Sequence, residues 1–129
     1  MTTFLHTALV CHSEDSADRF YQALLGLEKA EPKMLPRHLA EAIFGVDAEL
    51  TIINYAGDGI HFEIFVDNGC SGSSGKIEHT CIEVESRGRF LEKCCKLGVT
   101  VHQVDKGTKI LLFVQDFDGN LFEVKTRAD

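Results

Sequence analysis

The sequence predicts an α+β fold made of two copies of one strand–helix–strand–strand–strand unit. The same order of apolar patterns runs through each half, and short letter groups recur at matching places. The only Gly/Ser-rich stretch, Asn68 to Gly75 (NGCSGSSG), lies between the halves and reads as a linker. One domain of 129 residues is therefore expected, built from a module over 1–68 and a second over 76–129.

Phe4 to Cys11 (FLHTALVC) is rich in apolar and β-branched residues and predicts the first strand. Ser13, Asp15 and Ser16 are helix-start residues, followed by Ala17, Phe20, Tyr21, Leu24 and Leu25 at helical spacing. Gly26 ends that helix, because a left-handed terminal turn favours glycine. Leu27 to Lys33 predicts a short strand. Pro32 and Pro36 interrupt the next stretch, and Arg37 to Phe44 is expected as a short helix. Glu49 to Tyr55 and Ile60 to Val66 predict strands, and Ala56 to Gly59 (AGDG) predicts the hairpin turn between them.

In the second half, Ile77 to Val84 predicts a strand. Ser86 starts a helix carrying Phe90, Leu91, Cys94 and Leu97, ended by Gly98. Val99 to Val104, Ile110 to Val114 and Leu121 to Lys125 complete the set, the last two joined by the turn-forming Asp116 to Asn120 (DFDGN).

The repeat is visible in the letters. His6-Thr7 and His79-Thr80 open the two first strands. Phe20 precedes Leu25-Gly26 as Phe90 precedes Leu97-Gly98. The last strands read Gly59-Ile60-His61-Phe62-Glu63-Ile64 and Gly119-Asn120-Leu121-Phe122-Glu123-Val124, a shared G-x-x-F-E-[IV]. Each half thus offers one histidine at the start of its first strand and one glutamate in its last. The first half is longer in its middle, around Ala30 to Val46.

Composition narrows the function. Thirteen basic against twenty acidic residues give a formal charge of −7, with no Lys/Arg cluster. Such a chain is a poor partner for nucleic acid or an anionic membrane. No apolar run approaches the roughly 20 residues of a membrane span. Met1 to His12 lacks the pattern of a secretion signal. The five cysteines, Cys11, Cys70, Cys81, Cys94 and Cys95, form no C-x-x-C pair. A reduced, cytoplasmic protein using cysteine as a small hydrophobe is expected, with Cys94-Cys95 serving packing.

Strand side chains alternate between faces, so His61 and Glu63 share one face while Phe62 and Ile64 take the other. Leu121, Glu123 and Lys125 likewise oppose Phe122 and Val124. Helices on the apolar faces leave Glu63, Glu123, His6 and His79 pointing to the opposite surface. Phe20, Tyr21, Phe90 and Phe122 are expected in the core. Two imidazoles and two carboxylates meeting about a pseudo-twofold axis suit one divalent cation, since an unpaired carboxylate in a cleft is costly to ionise. Zn²⁺, Ni²⁺, Co²⁺, Mn²⁺ or Fe²⁺ all tolerate two nitrogen and two oxygen donors. Taken singly, a histidine or glutamate on a strand is usually a solvated surface residue. The symmetric pairing sets these four apart. His61 is expected near the site in a supporting or surface role, and Arg37 and His38 on a solvated helix face.

HTALVCHSEDSADRFYQALLGL (His6 to Leu27) and FVQDFDGNLFEVK (Phe113 to Lys125) resemble the opening and closing segments of the vicinal oxygen chelate superfamily, the glyoxalase/bleomycin resistance/dioxygenase proteins. The resemblance spans nearly the whole chain. It implies a cupped mixed sheet with helices on its outer face, metal ligands at His6, Glu63, His79 and Glu123, and a homodimer acting on a small molecule. That ligand set is similar to bacterial glyoxalase I. It implies a metal that stabilises an enediolate while Glu123 or Glu63 moves a proton, in isomerase, epimerase or lyase chemistry. The alternative implied is a drug-sequestering or antibiotic-resistance protein that binds without turnover. A thiol transferase of the fosfomycin-resistance kind uses two histidines and one carboxylate, so Glu63 weighs against it. Phe117 departs from the proline common in the closing motif and His12 from a frequent aspartate. The stretch from Leu35 to Gly45 carries no glutathione-binding signature.

Overall fold

The computed structural model describes residues 4–69, 78–105 and 107–126. The chain divides into two compact units, Met1–Cys70 and Ser71–Asp129. Most of the linker expected at Asn68 to Gly75, the start of the strand expected from Ile77, and Cys70 lie outside the described residues.

In the first unit, β1 (Thr7–Cys11) lies parallel to β5 (Ile60–Val66), which pairs antiparallel with β4 (Leu50–Gly57). The single strand expected over Leu27 to Lys33 is two short ones, β2 (Glu28–Lys29) and β3 (Lys33–Leu35), both paired with β4. Pro32 between them supplies no backbone N–H, so the ladder cannot run through it. The β4–β5 hairpin turns on Asp58-Gly59, with φ of 49° and 81°. Positive φ at both central residues is what a two-residue turn matched to strand twist requires.

Ser13 caps the first helix by accepting a hydrogen bond from the Ser16 N–H. This helix runs as α1 (Glu14–Ala17) and then widens into a π-helical stretch, Asp18–Leu24. The Leu25 N–H accordingly donates to the Phe20 carbonyl five residues back, at 3.0 Å. The helix still packs as expected. Tyr21 lies 5.5 Å from Tyr55 and 5.3 Å from Phe62, centroid to centroid. Phe20, Tyr21, Leu24, Ile53, Tyr55, Phe62 and Ile64 are buried together on this side of the sheet.

α2 (Arg37–Phe44) forms over the residues expected, between Pro36 and a left-handed Gly45. Its placement departs from helices on one outer face only. Ala40 packs with Leu50 and Phe65, against Leu35, Val46 and Ile52, and Phe44 meets Phe65 edge to face at 5.1 Å. Leu50, Ile52 and Phe65 alternate with Ile53 and Ile64, so α2 covers the sheet face opposite α1. The run Ile64-Phe65-Val66 gives the reason: a strand end apolar on both faces needs cover on both.

The second unit repeats the plan without that insert. β6 (Thr80–Val84) lies parallel to β9 (Leu121–Thr126), followed by β8 (Ile110–Gln115) and β7 (Thr100–Asp105), all antiparallel. α3 (Arg87–Leu97) is capped by Ser86 and closed by Gly98 at φ 72°. Phe90, Cys94, Leu112, Val114, Phe122 and Val124 are buried. Cys11 and Cys94 are buried as small hydrophobes, but Cys81 and Cys95 are exposed, which corrects the uniform reading of the cysteines. Cys95 follows Cys94 by one helical step, about 100° round the axis, and so leaves the packed side.

Candidate metal centre

His6 stands one residue before β1 and His79 one residue before β6. In both parallel pairs the register then runs alike: Thr7 opposite Phe62 with Ala8 opposite Glu63, and Thr80 opposite Phe122 with Cys81 opposite Glu123. The phenylalanine turns to the helix and is buried, so the glutamate beside it turns to the other face.

The result is the same pair twice. His6 Nε2 lies 3.7 Å from Glu63 Oε1, and His79 Nε2 lies 3.6 Å from Glu123 Oε1. The histidine side chains are 39% and 41% exposed and the glutamates 27% and 20%, so all four remain within reach of a ligand. These distances exceed a good hydrogen bond. Two donors that each sit about 2.1 Å from one ion are roughly 3.0–3.4 Å apart, so either pair needs a shift of only a few tenths of an ångström to share a metal. Nitrogen and oxygen donors of this kind fit a borderline divalent ion.

The surroundings of the two pairs differ. In the first unit Asn54 lies opposite Glu63 and accepts at Oδ1 a 2.7 Å hydrogen bond from His61 Nε2, which leaves His61 Nδ1 as the bare ring nitrogen when the ring is neutral. The His61 and His6 rings are 5.4 Å apart. In the second unit the matching places hold Phe113, opposite Glu123, and Leu121, and Phe113 lies 6.4 Å from the His79 ring. Cys81 shares this face; burial and then the Glu123 charge push its thiol above the usual range. Asn54 escaped the sequence reading. Its signal was a polar residue among the apolar ones on its own face of the strand, Leu50, Ile52 and Ala56. Arg37 pairs with Asp47 at 2.5 Å, both exposed, which agrees with a solvated place for Arg37.

No family model matches the chain, and no curated protein matches it by sequence. Solved structures do. A glyoxalase family protein from Enterococcus faecalis superposes with a TM-score of 0.70 at 17% identity, over 95% of each chain. The fosfomycin resistance protein FosX from Mesorhizobium loti gives 0.71 at 12% identity, over 97% of this chain and 91% of that one. The chain has the fold of these glyoxalase-family and FosX structures. A FosX variant from Listeria monocytogenes, complexed with Mn(II) and 1S,2S-dihydroxypropylphosphonic acid, superposes at 0.71 with 18% identity, covering 97% of this chain and 90% of that one. At these identities the likeness carries the fold, and the chemistry must be argued from the side chains.

Proposed function

We propose that this protein is a divalent-metal-dependent enzyme of the glyoxalase type, with His6, Glu63, His79 and Glu123 as ligands of one ion. The repeated His–Glu pair, at 3.7 and 3.6 Å, carries the reading. A neighbour in fold, the FosX variant complexed with Mn(II), supports it. Such an ion, when bound, acts as a Lewis acid toward a substrate carbonyl.

The chain's own part is proton transfer. A carboxylate beside the carbon next to that carbonyl removes a proton and returns it. Glu123 is the favoured base and Glu63 its counterpart. The reaction is then an isomerisation, epimerisation or lyase step on a 2-oxo compound or a thiohemiacetal. His61, hydrogen-bonded to Asn54 and 5.4 Å from the His6 ring, serves as a support beside the site. The same reading expects a homodimer in the cytoplasm.

Elemental analysis of the purified protein should find a stoichiometric divalent metal, with His6→Ala and Glu63→Ala each lowering its content. A screen with the methylglyoxal–glutathione thiohemiacetal and acyl-CoA epimers then reads turnover. Glu123→Gln should lose turnover and keep its circular dichroism spectrum. Full activity in that variant refutes the role of Glu123; metal-free protein with tight ligand binding and no turnover refutes the enzyme.

A further inference from the structure

The two units repeat the His–Glu pair but not what lies beside it. Opposite Glu63 stands Ala8, and the next row on that face joins Val10 and Phe65. Opposite Glu123 stands Cys81, and the next row joins Glu83 and Lys125. Where the first copy has an inert methyl, the second has a thiol. Where the first has two apolar side chains, the second has two of opposite charge.

Cys81 is one of two exposed cysteines among the described residues, on the face away from the buried Ile82 and Phe122. Residues opposite each other on neighbouring strands are about 5 Å apart, and residues two apart on one strand about 7 Å. Cys81 is thus beside Glu123 across the ladder and two residues from His79 along β6. Its thiol hydrogen-bonds the Glu123 carboxylate. A thiol so placed has its proton acceptor at hand, which is what a nucleophile needs. The His79 and Glu123 side chains are 41% and 20% exposed, so a small molecule reaches all three groups. Lys125 brings a positive charge to the same face, for an oxyanion formed beside the sulfur.

We propose that Cys81 is a catalytic nucleophile that forms the thiohemiacetal itself, so that this chain converts small 2-oxoaldehydes to 2-hydroxy acids without a separate thiol. The inference rests on the metal reading above and narrows its substrate class. The thiol proton passes to Glu123 as the S–C bond forms at the aldehyde carbon, and the former carbonyl oxygen takes that proton up. Glu123 then moves the hydrogen of this carbon, as a proton, to the neighbouring ketone carbon, while the hydroxyl proton crosses to the ketone oxygen. The aldehyde carbon rises to a thioester and the ketone carbon falls to an alcohol, so no outside oxidant or reductant is needed. Water attacks the thioester, the S–C bond breaks, and the thiol regains its proton as the 2-hydroxy acid leaves.

Full-length protein loaded with Mn²⁺ is incubated with methylglyoxal and no added thiol, and lactate is measured by chromatography. The wild-type protein should form lactate. Cys81→Ala, which copies the residue at this place in the first unit, should lower the rate about a hundredfold or more. Added 2-mercaptoethanol should restore part of it. Cys95→Ser, at the other exposed cysteine, should stay within about twofold of wild type. Mass spectrometry of acid-quenched wild-type protein should find a lactyl group on Cys81 that hydroxylamine removes, and Glu123→Gln should not carry it. Lactate formation by Cys81→Ala at the wild-type rate, wild-type turnover only when a thiol is added, or no hydroxylamine-labile group overturns the nucleophile and leaves the metal reading standing. Metal-loaded protein that turns over methylglyoxal neither with nor without a thiol also overturns the nucleophile. Protein that takes up no metal overturns the metal reading and the nucleophile with it.

Discussion

Tyr55 shows how one side chain can fasten several elements. Its ring is fully buried against Tyr21, and its hydroxyl donates to Asp18 Oδ1 at 2.7 Å. Asp18 also accepts from Lys29 Nζ at 3.0 Å, and Lys29 reaches Glu14. β4, β2 and the first helix meet in this group. Burial, and then the hydrogen bond and charge of Asp18, hold the tyrosine far above its ordinary range. The folded state therefore keeps the phenolic proton while the unfolded chain releases it near pH 10. Stability from this group is complete below that pH and declines as pH rises beyond it. Tyr55→Phe should cost about 1–2 kcal/mol at pH 7 through the lost hydrogen bond. It should also flatten the alkaline fall, leaving the weaker decline from Lys29, whose ammonium is likewise favoured when folded, chiefly by its hydrogen bond to Glu14. Urea titrations of both proteins from pH 7 to pH 11 check this; parallel curves would contradict it.

At the scale of elements, the Asp116–Asn120 turn fixes the strand that carries Glu123. Asp116 is buried, and its carboxylate accepts from the Asp118 N–H at 2.9 Å, the Asn120 N–H at 2.8 Å and the Asn120 side-chain amide at 2.7 Å. The Asp116 N–H in turn donates to the Asn120 carbonyl at 3.0 Å. This closes the β8–β9 connection and sets the register that places Phe113 beside Glu123. Asp116→Ala leaves three donors without their acceptor and should destabilise the protein by roughly 2–4 kcal/mol, read from the urea midpoint. A change under about 0.5 kcal/mol would mean the turn holds by backbone alone. DFDGN announced a turn by composition; the structure adds that its first aspartate is the acceptor around which the turn is built.

For the molecule as a whole, a metal that binds the folded chain must also stabilise it. One site at a free metal concentration about 100 times its Kd adds about 2.7 kcal/mol by mass action. Zinc or manganese should therefore raise the melting temperature by several degrees, EDTA should reverse the gain, and His6→Ala or His79→Ala should abolish it. An unchanged melting temperature in the native protein, at metal concentrations up to the millimolar range, counts against the centre. Among the described residues no helix is long and apolar enough to cross a membrane.

The order of residues alone was enough to place most of the elements and the His–Glu repeat. Both are local in origin: caps at Ser13 and Ser86, glycines at Gly26 and Gly98, and period-two alternation that sends Phe62 and Phe122 one way and Glu63 and Glu123 the other. Internal repetition then let each half check the other. Whatever depends on contacts distant in the chain was settled by the folded molecule. The face that α2 covers follows from Phe65 and Leu50, which the helix's own pattern cannot name. The grip of Asn54 on His61 needs the β4–β5 register, set by a hairpin turn at Asp58-Gly59 that composition placed only to within two residues. Periodicity assigns a side chain to a face; only the register says which neighbour it meets there.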